Sequence, residues 1–476
     1  MPLKKILLKA GVNRENTRYT SEGGWYECNN VRFRQGTPEK IGGWTRLNTV
    51  KFLGVARSLW NWITLGGQNL IGVGTNIKFY IENGGTFNDI TPLRSTTSAG
   101  EVTFSASVTT LSAAITSTTA TTIPITDATG FPLVGLILID SEVISYTGIT
   151  DNTLTGCSRG AAKLVNDVAT NTTAATHSNS AGVTCFTILV SDANNGATAG
   201  DFVTFTDAAP MGGNFTAAVL NLEYEILTLE GSNKYTIVAR SFSNTTIAFS
   251  NVASTSADTG NGGSSTVGAY QLNVGVATAS EVSDWGAGGW GAGLFGQGVT
   301  SQEVLRIWSQ QNFGEDLIFG PRGGRIYYWA ATDDLRTRAV ELSGSNVPVI
   351  QNLILVSDIN RFVFCFGANP LGSAARDPML IRWSDQENAE NWTPDATNQA
   401  GSLRLSRGTE IVAASQARQE VLIWTDSSLY SLQYVGAESG VWAATLVGEQ
   451  TSIASQNAVA YANGVAYWMG KDKFYK

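Results

Sequence analysis

A single histidine, His177, sets the first limit on the chemistry this chain can perform. Ser–His–Asp and Cys–His catalysis would both have to pass through it, because each needs an imidazole to carry the proton. It stands in a Thr-, Asn- and Ser-rich stretch that predicts a solvated loop, and nothing around it resembles a nucleophile elbow. Motifs of the H-E-x-x-H, Walker A and C-x-x-C types are absent. The four cysteines, Cys28, Cys157, Cys185 and Cys365, are too far apart in sequence for a zinc-type pair, and each reads as a small buried apolar side chain. No metal or cofactor is expected.

Glycoside hydrolysis needs two facing carboxylates. Three acidic pairs were weighed for it: Asp140 with Glu142, Glu223 with Glu225, and Glu315 with Asp316. The first two are spaced i, i+2 on expected strands, so both members share one face, and that pattern reads as a solvated face. The S-x-D-x-G-x-T-W box of sialidase-type propellers does not occur. Gly286-Ala287-Gly288-Gly289-Trp290-Gly291 matches G-x-G-x-x-G in form only, since a dinucleotide fingerprint must follow a strand and open a helix. Here glycine and tryptophan alternate, which predicts an irregular loop pinned by Trp285, Trp290 and Phe295, or one that meets a neighbouring subunit. Arg32-Phe33-Arg34 and Arg306-Ile307-Trp308 interleave cations with aromatics. Such runs can hold phosphate and stack on bases, but in β-rich assemblies they more often pair between subunits.

The elements that must position these residues are strands. The chain has 476 residues, 43% hydrophobic, so a large core can be buried, yet only 15% are charged. The balance is Gly, Thr, Ser, Asn and Ala, with 51 glycines, and few stretches repeat apolar residues at helical spacing. No run approaches the roughly 18 apolar residues of a membrane span. The start, Lys4-Lys5 before Ile6-Leu7-Leu8, is too short for a signal-peptide core.

Composition divides the chain into residues 1–94, 95–275 and 276–476. The outer parts are rich in Trp and Arg; the middle has no Trp and holds 4 basic against 13 acidic residues. The outer parts together carry 27 basic and 26 acidic residues, so the net charge of −8 resides in the middle. An acidic surface repels nucleic acid, which argues against DNA gripping but suits a wall past which DNA slides. The outer parts share a repeated hairpin: an apolar strand, a short polar turn and an aromatic strand. It recurs at 69–80, 316–328, 352–364, 420–432 and 464–475. Repeats of this kind predict propeller blades, so the expected fold is all-β: a β-propeller core formed by 1–94 and 276–476, with 95–275 inserted as small β modules. Within the insertion, strands are expected at 122–125, 136–139, 143–146, 185–190, 202–206, 224–229 and 235–239. Residues 160–182 are expected as loop and 251–268 as linker.

Two segments resemble a known family. One runs from Gly11-Val12-Asn13-Arg14 through Gly23-Gly24-Trp25-Tyr26 and Val31-Arg32-Phe33-Arg34-Gln35-Gly36 to Pro38-Glu39-Lys40-Ile41-Gly42-Gly43-Trp44. The other runs from Trp308-Ser309-Gln310 through Asn312-Phe313-Gly314-Glu315-Asp316-Leu317 and Pro321-Arg322-Gly323-Gly324 to Ile326-Tyr327-Tyr328-Trp329. Arg382-Trp383-Ser384-Asp385 and Asn391-Trp392 add to them. Together they resemble the tail-nozzle proteins of short-tailed bacteriophages (podoviruses), also called packaged-DNA-stabilisation or head-completion proteins. The resemblance implies a structural, non-enzymatic subunit of a six-fold ring below the portal and adaptor rings. It would retain packaged DNA and pass it during ejection without sequence-specific binding. Tail fibres or spikes are further expected neighbours, and the setting is the virion, assembled in the host cytoplasm. Candidate ring or subunit contacts are Arg32, Arg34, Trp285, Trp290, Arg306, Trp308 and Arg322. The competing reading is a host-glycan-binding or glycan-cleaving propeller of the virion.

Overall fold

A computed structural model describes residues 9–14, 17–19, 23–43, 45, 46, 50–193, 195–277, 305–358 and 360–476. Residues 1–51 form one compact unit and residues 52–476 another. The first unit is built on a hairpin, Val31–Arg34 with Thr37–Lys40. Its turn residues Gln35 and Gly36 both have positive φ (50° and 80°), the geometry a two-residue hairpin turn requires. The Phe33 ring meets Trp25 edge-on at 6.1 Å.

The second unit contains the β-propeller core. Four antiparallel four-stranded meanders follow one another, here blades I to IV. Blade I is Ala56–Ile63, Asn69–Thr75, Phe79–Asn83 and Thr86–Asp89. Blade II is Trp308–Phe313, Asp316–Pro321, Tyr327–Trp329 and Val340–Glu341. Blade III is Leu353–Val356, Val363–Phe366, Leu380–Trp383 and Gly401–Arg404. Blade IV is Ile411–Gln416, Glu420–Thr425, Ser428–Gly436 and Val441–Glu449. A three-stranded sheet, blade V, comprises Val459–Ala462, Val465–Met469 and Phe474–Tyr475. The first strand of each blade packs on the first strand of the next. Asn457, just before blade V, lies 3.5 Å from the Arg57 carbonyl of blade I.

Blade III shows why the sequence folds this way. Its first three strands are buried at every position, because both faces are covered. Alternation sends Leu353 and Leu355 into a core shared with blade IV (Ile423, Leu432, Trp442). Ile354 and Val356 go the other way, into a core shared with blade II (Ile318, Ile326, Leu342). The motif Arg382-Trp383-Ser384-Asp385 is structural. The Arg382 guanidinium, 3% exposed, donates to the carbonyls of Asn346 (2.7 Å), Asn369 (3.2 Å) and Trp392 (3.3 Å). It thereby satisfies three loop carbonyls beside blade III that no strand could pair.

The chain between blades I and II enters and leaves through one strand pair, Leu93–Thr96 against Val267–Gln271. Between them lie two β modules, each with its own core. One buries Leu111, Ile123, Ile137, Ile144, Leu154 and Cys185. The other buries Phe104, Ile188, Val203, Phe205, Tyr224 and Tyr235. The stretch 160–182 is not all loop, as the sequence predicted. Ala162–Val165 and Val168–Asn171 form a hairpin. Its turn, Asn166-Asp167, has φ of 49° and 61°, which asparagine and aspartate tolerate better than most residues.

Candidate functional site

His177 is not solvated. It is 5% exposed and is gripped between two carboxylates. Nδ1 lies 2.8 Å from Asp140 Oδ2, and Nε2 lies 2.8 Å from Glu142 Oε2. The hairpin turn after Gly135–Ile139 aims these acids differently. Asp140 has φ 51° and stays largely exposed, whereas Glu142 opens the next strand and is fully buried. Glu142 is therefore no solvated acid either. It accepts Arg159 Nε and Nη2, both at 2.7 Å, with the Gly160 and Ala175 amides at 3.0 and 2.9 Å. Burial pushes its carboxyl up, but the bonds from Arg159, Ala175, His177 and Gly160 outweigh this and hold it at about 2. The two acids take opposite ring nitrogens, so they cannot share a cation with the imidazole. No group of three metal-ligating side chains converges among the described residues.

One member of the second acidic pair is also taken up by cations. Glu223, at the root of the insertion, meets Lys78 of the first blade at 2.7 Å and Arg338, from the loop before the last strand of blade II, at 3.0 Å. Lys78 is only 2% exposed and also holds Asp89 at 2.5 Å. Burial pushes the Asp89 carboxyl up, yet Lys78 and Arg338 bring it below its ordinary value. Glu225, two residues on, remains exposed. Glu315 and Asp316 hold a hairpin corner. The Glu315 backbone carbonyl accepts the Trp62 indole N–H (2.9 Å) and its carboxylate the Leu65 amide (3.1 Å), and Asp316 accepts the Tyr328 hydroxyl and the Ala331 amide.

The predicted contact residues are scattered. Arg32 pairs with Glu39 across its hairpin at 3.0 Å, and Arg34 is exposed on the same strand. Trp285 and Trp290 lie outside the described residues. Trp308 is not a surface contact: it is 2% exposed, donates to the Thr75 carbonyl and packs edge-on against Phe79 and tilted against Phe319 between blades I and II. Arg306 and Arg322 do come together. They line a cleft of about 510 Å³ between the insertion root and the blade II turn Pro321–Arg325. Arg94 and Arg325, which the sequence reading did not single out, line the same cleft. Arg322 Nη2 donates to the Leu305 carbonyl, tying the turn to the segment that carries Arg306. Burial pushes the Arg306 and Arg322 guanidinium groups below their usual values.

No protein-family model matches the chain, and no curated protein matches it. Among solved structures it is similar to the phage phi92 endosialidase, at 10% identity and a TM-score of 0.21, covering 86% of this chain and 60% of that one. It is similar also to the extracellular domain of a one-component system from B. thetaiotaomicron, at 10% identity and a TM-score of 0.21, covering 92% of this chain and 66% of that one. The chain thus spans about 60% of the length of the endosialidase, and neither likeness is close enough to transfer an activity.

Proposed function

We propose that this chain is a structural subunit of the short tail of a bacteriophage, a nozzle ring that retains the packaged genome and passes it during ejection. The ring is a homo-oligomer, six-fold by the resemblance, and the acidic insertion extends the nozzle distally. The subunit catalyses no reaction. The observation that carries the non-catalytic part is the fate of the carboxylates weighed for hydrolysis. In each i, i+2 pair one acid is consumed, Glu142 by Arg159 and His177 and Glu223 by Lys78 and Arg338, which leaves Asp140 and Glu225 exposed without a free partner acid, while Glu315 and Asp316 hold a hairpin corner. Glu142, held ionised by several donors, is a poor general acid. The nozzle assignment itself rests on the family resemblance of the two long motif segments.

The test is electron microscopy of intact particles. Density for this chain in a ring around axial DNA supports the proposal; density at the periphery, as a spike or fibre, overturns it. The second reading, a glycan-binding or glycan-cleaving propeller, is favoured by the arginine-lined cleft. Incubation with host envelope polysaccharide separates the two, since new reducing ends above a denatured control would establish cleavage.

A further inference from the structure

Four guanidinium groups from separate parts of the chain converge on one concave surface. Arg94 comes from the insertion's entry strand, Arg306 from the segment before blade II, and Arg322 and Arg325 from the blade II turn. Two carboxylates face them. Glu341 pairs with Arg325 at the rim. Asp201, fully buried, lies 3.7 Å from Arg94 and also acts on Arg306. Asp201 is already occupied by the Thr198 and Val274 amides and by Asn273. Four cations against two anions leave an excess of two positive charges.

The donors are also short of acceptors. Arg94 Nε and Nη2, Arg306 Nη1 and Arg322 Nε are shielded from solvent and have no hydrogen-bond partner. Folded proteins rarely leave buried donors unpaired, and charged ones least of all. Arg382, by contrast, is more deeply buried yet spends its guanidinium on three carbonyls. The cleft's volume of about 510 Å³ falls within the roughly 300–1,000 Å³ of small-molecule sites.

We infer that this cleft is a binding site for an oxyanion, a carboxylate or phosphate group carried on a molecule of about monosaccharide size. The planar fork of arginine matches both groups bidentately. The ligand's oxygens meet the cleft-lining guanidinium groups of Arg94, Arg306 and Arg322, whose shielded donors turn outward to reach them, and Arg325 closes the rim. The inference concerns a ligand, and it holds whether the chain is a conduit or a glycan receptor.

The experiment is calorimetric titration of the full chain with inorganic phosphate, with glucuronate, and with uncharged glucose, at constant ionic strength. Saturable millimolar or tighter binding of either anion, with none of glucose, is the expected result. Phosphate alone or glucuronate alone identifies which oxyanion the site selects. Arg306→Met should weaken binding at least about tenfold, the effect of losing a charge-assisted pair. Arg325→Met, at an exposed rim position and so without consequence for folding, should weaken it about threefold. Absence of saturable binding by both anions overturns the inference. So does undiminished binding by a folded Arg306→Met protein or, if that variant does not fold, by Arg325→Met.

Discussion

Replacing Glu142 by glutamine tests whether this carboxylate holds the first insertion module together. The substitution keeps the size and one acceptor oxygen. It removes the acceptor that Arg159 Nη2, the Ala175 amide and His177 Nε2 share at Oε2. Arg159, 5% exposed, is left as a buried cation without a counter-charge. Breaking a buried pair in this way costs about 3–5 kcal/mol. The pH dependence gives an independent figure. The carboxyl falls from 4.5 free to about 2 in the folded chain, and at about 1.36 kcal/mol per unit this is on the order of 3 kcal/mol. The folded-state value is the depressed one, so the contribution is complete above about 4.5 and is lost as pH falls towards 2. Hydrogen exchange of strands 135–139 and 142–146 at neutral pH reads this directly. Protection should drop about 150- to 5,000-fold in Glu142→Gln, while strands 353–356 and 363–366 of blade III keep theirs. Acidifying the unsubstituted chain from pH 5 to pH 2 should reproduce part of the loss. A change under tenfold in the variant, or equal loss in blade III, would refute the reasoning.

Lys78→Met should leave Asp89 and Glu223 facing one another with Arg338 alone between them. A cost of about 3–5 kcal/mol is expected, visible as faster exchange at 223–225 and 267–271 while the distal module is unaffected. Asp192 is buried beneath the Tyr270 hydroxyl, one of its oxygens is unpaired, and burial raises its carboxyl above the ordinary value. The folded chain therefore binds that proton more tightly than the unfolded one, and this stability is present in acid and lost as pH rises through the raised value. Asp192→Asn should flatten that trend and raise the melting temperature at pH 7. Gly74→Ala would put a Cβ 2.6 Å from Trp308 Cδ1, so overpacking between blades I and II should cost about 1–3 kcal/mol, read as a lower melting temperature.

The hairpin repeat was legible because each blade needs two adjacent strands whose pattern is local. The segments at 69–80, 316–328, 420–432 and 464–475 all fall on paired neighbouring strands. The strand at 136–139 was legible from its β-branched run. His177 was misread because its partners, Asp140 and Glu142, lie 37 and 35 residues away, and polar neighbours signal exposure only when no distant acid reaches back. Glu223 was misread for the same reason, since Lys78 sits 145 residues earlier. The Arg-Ile-Trp run suggested one exposed contact, but the strand begins only at Trp308, which packs into the core with the Arg306 guanidinium 5.7 Å from its ring centroid, while Arg306 also lines the cleft. Arg94 could not be linked to Arg306 by any spacing, because only the returning strand 267–271 brings the insertion root beside blade II.

That returning strand bears on the order in which the molecule can fold. Blades I and II are separated in sequence by the whole insertion, yet they share the core around Phe79, Trp308 and Phe319. For a random chain, closing so long a loop costs only about 0.6 kcal/mol for each doubling of its length, but it is slow, because the ends must find each other by diffusion. Once Leu93–Thr96 has paired with Val267–Gln271, the search shortens to the 3 residues between Asp89 and Leu93 and the 36 between Gln271 and Trp308. The insertion then acts as an internal clasp, and a lesion at its root should delay assembly of the propeller more than a lesion of equal cost at its far end.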